Sequence, residues 1–440
     1  MIEEVFYLVF LLGHIAFGAL YLHKVHVSQR RIVCTVIGLN TSLILSRWDL
    51  LHQFALTFLV IAVLYIYRRS RAFNLCYALN AVAFGYLLFF RFVSTNNFSR
   101  MIMMMLVLRM GGLGSEIEES EQLEIDNLHE APLIDIFYYA FSYMGLLAGP
   151  YIRYRTFRDF MDGICLTTFS QRRHFLEEKL TSMPLFLTFF LVANVLAPLE
   201  AAKTQEFHDE SGFLYTLWYM VVMFMGFRGR LYTGFVLAEC GCIAAGIGAY
   251  PHEWENKSGQ GPTKRKKAMY PNHIDFNTVQ NLDFRECETA PTVKETVRAW
   301  NQTVQYWLAV NCYKKLPAPR WIRMVVTMMV SAFWHGIRPG YYVCLISTVL
   351  YASAESHLLE YFSKNPLFPM PTTTLGKIAF AQLKFLAFAY MGVAFMMISM
   401  PEIVRFYANL YFFGYVIPVA ILIYFRCFAN LAESREIKRT

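Results

Sequence analysis

Apolar runs of bilayer length constrain this 440-residue chain more than any other feature. Val5 to Leu22, Ala72 to Val93, Ile378 to Ser399 and Ile403 to Phe425 reach or approach the ~20 residues that a helix needs to cross the hydrocarbon core. The candidate spans are 5–22, 32–46, 50–67, 72–94, 131–149, 184–199, 212–227, 231–250, 321–337, 340–357, 377–399 and 403–427. Only 16% of residues are charged and 56% are hydrophobic, against roughly a quarter charged in a soluble domain. The predicted fold is all-α: a single polytopic membrane domain over 1–440. Basic residues gather on one side of the first hairpins, at Lys24, Arg30 and Arg31 and again at Arg68, Arg69 and Arg71, while Glu3 and Glu4 precede the first run. The positive-inside rule then puts the N-terminus in the lumen and the basic tail Arg435, Lys438 and Arg439 in the cytosol. Opposite termini require an odd number of crossings. The twelve candidates therefore include at least one re-entrant or interfacial segment, giving about 11 spanning helices, or else miss one crossing, such as the Met-rich stretch 101–110.

Three polar stretches interrupt the helices. Ser115 to Glu130 carries seven carboxylates and reads as a solvated acidic loop. Residues 151–184 interleave Arg153, Arg155, Arg158, Arg172, Arg173 and Lys179 with Tyr154, Phe157, Phe160 and Phe175, a mixture suited to helices lying in the membrane interface. Residues 251–299 are too polar to span and read as a cytosolic loop, with a basic cluster at 264–267. The net charge of +8 fits basic cytosolic loops, and equally an attraction for lipid headgroups or coenzyme A phosphates. Nine scattered cysteines without a CxxC pair indicate neither a disulfide framework nor a zinc site. No metalloprotease, Walker, dinucleotide or nucleophile-elbow motif occurs, and nothing resembles a nucleic-acid module.

The chemistry-bearing residues fall in 300–357. In RAWNQTVQYWLAV, Trp300, Val304, Trp307 and Leu308 recur at helical spacing, with Asn301 and Gln305 on an adjacent face. Downstream, an apolar helix ends at His335, with Ser331 and Ala332 one turn earlier, Trp334 beside it and Gly336 after it. Small residues there leave space for a reactant. The competing reading is a histidine satisfied by helix packing.

Together the two segments resemble the paired signatures of the membrane-bound O-acyltransferase family. The residues concerned are Trp300-Asn301-x-Thr303-Val304-Gln305-x-Trp307-Leu308 and Ser331-x-Phe333-Trp334-His335-Gly336-x-x-Pro339-Gly340-Tyr341-Tyr342. Gly149-Pro150-Tyr151-Ile152-Arg153-Tyr154-x-x-Phe157 is similar to the family's Gly-Pro segment. Within the family, this form looks most like the lysophosphatidylinositol acyltransferase branch, and the FYxDWWN form of the sterol and diacylglycerol branch is absent. The resemblance implies an acyltransferase of the endoplasmic reticulum membrane with a tunnel through its helices. It takes acyl-CoA as co-substrate, with no other cofactor and no metal, and a lysophospholipid as acceptor.

His335 suits removal of the hydroxyl proton because an imidazole ordinarily titrates near working pH. Asn301 supplies an amide N–H or positions the acceptor. Trp300, Gln305, Ser331, Trp334, Arg153 and Arg155 are the candidates for substrate contact, the two arginines for coenzyme A phosphates. Cys312 and Cys344 sit eleven and nine residues from Asn301 and His335; a ternary complex with direct transfer is expected rather than an acyl-cysteine. Two alternatives stay open: an acceptor with a choline, ethanolamine or serine headgroup, and a lipid transporter in which both polar residues only pack helices.

Overall fold

Most of the long apolar runs are helical, and the computed structural model describes residues 2–123, 127–164, 167–265, 273–364 and 373–429. Cys165, the 266–267 half of the basic cluster, residues 124–126 of the acidic stretch and the basic C-terminal tail lie outside the described residues. The chain opens with α1 (Ile2–Leu20), α2 (Val27–Ser46), α3 (Leu50–Ser70), α4 (Leu75–Val93) and α5 (Asn97–Leu123). Next come α6 (Leu133–Phe141), α7 (Tyr154–Met161), α8 (Phe169–Leu180), α9 (Met183–Leu196) and α10 (Gln205–Glu210). The 33-residue α11 (Phe213–Ala245) fuses two of the expected spans. The polar stretch 251–299 is more than a loop. It holds α12 (Phe284–Thr289) and α13 (Val293–Ala299), preceded by β1 (Tyr250–Pro251), β2 (Asn256–Lys257), β3 (Gly261–Pro262) and β4 (Ile274–Asp275). β1 pairs antiparallel with β4, and β2 with β3. The last helices are α14 (Gln302–Leu308), α15 (Arg320–His335), α16 (Pro339–Lys364), α17 (Thr374–Met397), α18 (Met400–Asn409) and α19 (Phe413–Tyr424).

Local chemistry sets many of these boundaries. Asn74, Thr168, Asp283, Thr292 and Thr373 each accept a backbone N–H at the start of a helix, satisfying donors that have no partner inside it. Among the described residues, seven helical stretches are long and apolar enough to cross a membrane, or eight if the pair α18 and α19, bent by 79°, counts as one. This is fewer than the eleven expected. Part of the difference is that 27–70 counts as one 44-residue stretch although it holds both α2 and α3; the rest lies in the fusion in α11, the 16 residues of α15, and the early end of α6. Many large apolar side chains are solvent-accessible, among them Phe92 at 72%, Val195 at 80% and Leu214 at 76%. Such a surface belongs in lipid.

The chain divides into two compact units assembled from interleaved segments. The first contains Met1–Pro184, Tyr232–Leu282 and Asn301–Pro317, the second Leu185–Leu231, Asp283–Trp300 and Ala318–Thr440. In the first unit, the fully buried Arg109 explains why 131–149 is not a continuous span. Its guanidinium donates to the carbonyls of Tyr139 (3.0 Å), Ala140 (3.1 Å) and Ser142 (3.0 Å), and to that of Met144. Those oxygens lie at and just beyond the C-terminal end of α6, where carbonyls lack intrahelical partners and a cation is favoured.

The acidic stretch also departs from expectation, because α5 continues as helix through its first half. Its carboxylates face protein donors. Buried Glu116 accepts from Tyr151 Oη (3.0 Å), Tyr154 N (3.1 Å) and Arg155 N (3.2 Å), and Glu118 from Cys76 N (3.0 Å) and Lys315 Nζ (3.1 Å). In the second unit, α9, α11, α16, α17, α18 and α19 share a core around Tyr219, Met220, Ala389, Tyr390, Phe406 and Leu410. Arg228 lies between the rings of Phe224 and Phe385, its charge centre 4.4 Å from the latter, and pairs with Glu288.

Candidate active site

The first unit holds Asn301, Gln305, Arg153 and Arg155; the second holds Trp300, Ser331, Trp334 and His335. Asn301 is not inside a helix. The predicted helical face across Trp300 and Asn301 is broken there: Trp300 is extended, and Asn301 takes φ 47°, ψ 48° as the residue before α14. Asparagine is one of the few residues that enter this left-handed region at modest cost. Its carbonyl begins the helix by accepting from Gln305 N at 3.0 Å, so Asn301 and Gln305 are joined through the backbone one turn apart. The side chain makes no capping bond, and its Oδ1 is enclosed without a hydrogen-bond partner among the described residues.

Arg153 is committed to protein carboxylates. Buried at 4% exposure, it pairs with Glu116 at 3.4 Å and with Glu119, and donates to Gln260 O at 3.3 Å. Burial alone would lower its pKa; the charges of Glu116, Tyr306, Glu119 and Tyr151 reverse this and hold it above the ordinary arginine value. A phosphate would have to displace those partners, so this arrangement argues against the coenzyme A contact expected of Arg153. Arg155 adds its backbone N–H to Glu116.

His335 is the last residue of α15, and Gly336 N closes the helix on Ala332 O at 2.9 Å. Aromatic rings surround the imidazole. Trp334 lies 4.8 Å away centroid to centroid, Tyr341 6.0 Å and Phe395 5.0 Å, the last edge-on at 83°. The space expected beside the small residues is taken up: a Cβ on Gly336 would meet Tyr341 Cε2 at 2.7 Å, and Ser331, Ala332 and Trp334 are buried. The glycine therefore admits a ring, which packs at 4.9 Å on Phe395.

Sequence reasoning missed Asn281 and Glu239, which lie behind Asn301. Asn281 accepts from Gln302 N and Thr303 N, and Glu239 accepts from the backbone at 281 and 282. Neither belongs to a recognisable motif, and no spacing links them to 301.

The family described as "MBOAT, membrane-bound O-acyltransferase family" matches residues 33–400, which include Asn301 and His335. The chain belongs to that family. As a membrane-bound O-acyltransferase, it is an enzyme integral to the bilayer. Its relatives include the membrane-bound acylglycerophosphatidylinositol O-acyltransferase frj of Drosophila melanogaster, 33% identical over 94% of this chain and 90% of that protein. Those named mboat7 in Xenopus laevis and MBOAT7 in Homo sapiens are each 31% identical, over 98% and 96% of this chain and 95% and 93% of their own lengths.

Proposed function

We propose that the protein transfers a long polyunsaturated acyl chain from acyl-CoA to the free hydroxyl of lysophosphatidylinositol, remodelling phospholipid in the endoplasmic reticulum membrane. The observation that carries this reading is the likeness, end to end, to relatives named for acylglycerophosphatidylinositol. His335 is the general base. It takes the acceptor hydroxyl proton as that oxygen attacks the thioester carbonyl, and returns the proton to the departing coenzyme A thiolate. Tyr341 and Phe395 support this by fixing the plane of the imidazole. Asn301 positions or polarises the reacting groups, with an amide that no capping bond occupies. The reaction is direct, without an acyl-cysteine. The N-terminus is lumenal and the C-terminus cytosolic.

Membranes containing the protein should be offered a panel of lysophospholipids with arachidonoyl-CoA and saturated acyl-CoA, and products read by mass spectrometry against a His335→Ala control. Lysophosphatidylinositol with the polyunsaturated donor should dominate, and the signal should fall roughly 10²- to 10⁴-fold in the control. Preference for a choline, ethanolamine or serine headgroup would reassign the acceptor. Vectorial lipid movement that persists in His335→Ala without acyl-CoA would overturn the enzyme reading.

A further inference from the structure

A helix N-terminus leaves backbone N–H groups without intrahelical partners, and the side chain of the preceding residue normally accepts one of them. Asparagine is among the best residues for that task, yet Asn301 does not perform it. Asn281 does so instead. Its carbonyl takes Gln302 N at 2.8 Å, and its Oδ1 takes both Thr303 N at 3.2 Å and Thr303 Oγ1 at 2.6 Å, filling both lone-pair positions. Asn281 is 1% exposed and Thr303 fully buried. The same Thr303 hydroxyl accepts Tyr151 N at 2.9 Å, tying the start of α14 to the segment after Pro150.

Asn281 is itself held. Glu239, fully buried on α11, receives Asn281 N at 2.8 Å and Leu282 N at 2.7 Å on Oε1, while Lys179 Nζ lies 2.7 Å from Oε2. A buried carboxylate is tolerable only when paired and hydrogen-bonded. Here its bonds fix the backbone that carries the substitute cap.

We propose that Asn281, anchored by Glu239, is a positioning residue that caps α14 in place of Asn301 and thereby keeps the Asn301 amide available for acyl transfer. Without the acceptor at 281, the N–H of Thr303 becomes an orphan, and the side chain that ordinarily accepts from the second residue of a helix is that of the residue before it, here Asn301. To accept that N–H, Asn301 must leave its left-handed conformation (φ 47°, ψ 48°) for the extended one of a capping residue, and that change carries the catalytic amide inward. The proposal rests on the acyltransferase reading and on Asn301 acting in it.

The test compares acyl transfer by full-length wild type, Asn281→Ala, Asn281→Asp, Asn301→Ala and the double variant Asn281→Ala/Asn301→Ala. Asn281→Ala should lower kcat roughly 10- to 100-fold, the scale of a displaced catalytic group, with KM for lysolipid changed by less than about threefold. Asn281→Asp keeps an acceptor at the same place and should recover most of the rate. In the Asn301→Ala background, Asn281→Ala should cost no more than about twofold, because residues acting through one group are non-additive. A full additional loss there overturns the proposal, as does wild-type kcat in Asn281→Ala beside an impaired Asn301→Ala. Full turnover in Asn301→Ala instead rejects the site reading, and the positioning role falls with it. Hydrogen exchange on the wild-type protein needs no variant to fold. The amides of Gln302 and Thr303 should be protected like the interior of α14, and exchange at the rate of an open peptide overturns the proposal.

Discussion

The backbone at Asn301 separates two contributions that an alanine substitution confounds. Alanine removes the amide and also strains the left-handed conformation, at about 1–2 kcal/mol; glycine removes the amide and accepts the conformation freely. Asn301→Gly should therefore melt within a few degrees of wild type while turnover collapses, and Asn301→Ala should lose both. Thermal melts in one detergent beside initial rates check this, and an active Asn301→Gly would remove the amide from the mechanism. For His335→Ala the expected loss is roughly 10² to 10⁴ in turnover, the usual contribution of a general base, with melting near that of wild type. At this scale the residue types were legible in the sequence: an amide and an imidazole, each in a distinctive motif. Conformation was not. The helical spacing of Trp300, Val304, Trp307 and Leu308 runs across the break at Asn301, and periodicity carries no trace of a single residue at positive φ.

Among the elements, long helices were legible because twenty apolar residues leave few alternatives, whereas α5 shows where such reading fails. A run of carboxylates suggests a solvated loop by default. What makes it a helix is a set of donors distant in sequence, with Tyr151 35 residues from Glu116 and Lys315 197 residues from Glu118. Burial divides these carboxylates energetically. Glu116→Gln would turn an amide N–H toward backbone donors and break a buried ion pair, costing about 3 kcal/mol or more. Glu121→Gln touches a pair with Arg71 that is nearly half exposed on the arginine side, and should cost under about 1 kcal/mol. Chemical denaturation of both variants checks the contrast; equal effects would mean the acidic helix is not anchored by burial. The end of α6 is similarly dictated from afar. Arg109→Ala orphans buried carbonyls and should cost roughly 3 kcal/mol or more. Arg109→Lys should restore only part, since three donors on a point charge cannot reproduce the planar fork. The same denaturation measurements read out both.

For the whole molecule, hydropathy revealed a polytopic helical protein but neither its number of crossings nor its two units, because segments from opposite halves of the chain interleave within each. Charge asymmetry gives the orientation prediction: a glycosylation tag at the N-terminus should be modified and one at the C-terminus should not. Glycosidase-sensitive gel shifts decide it, and the reverse pattern inverts the topology. Helix α11 adds a consequence of its own. Thirty-three residues at 1.5 Å each make a helical path of about 50 Å, against a hydrocarbon thickness near 30 Å. A helical path of that length must tilt, bend or extend past the hydrocarbon, and the cost of accommodating it changes with membrane thickness by fractions of a kcal/mol per ångström. The fit of this helix is thus sensitive to the thickness of a membrane whose composition the enzyme's own product alters.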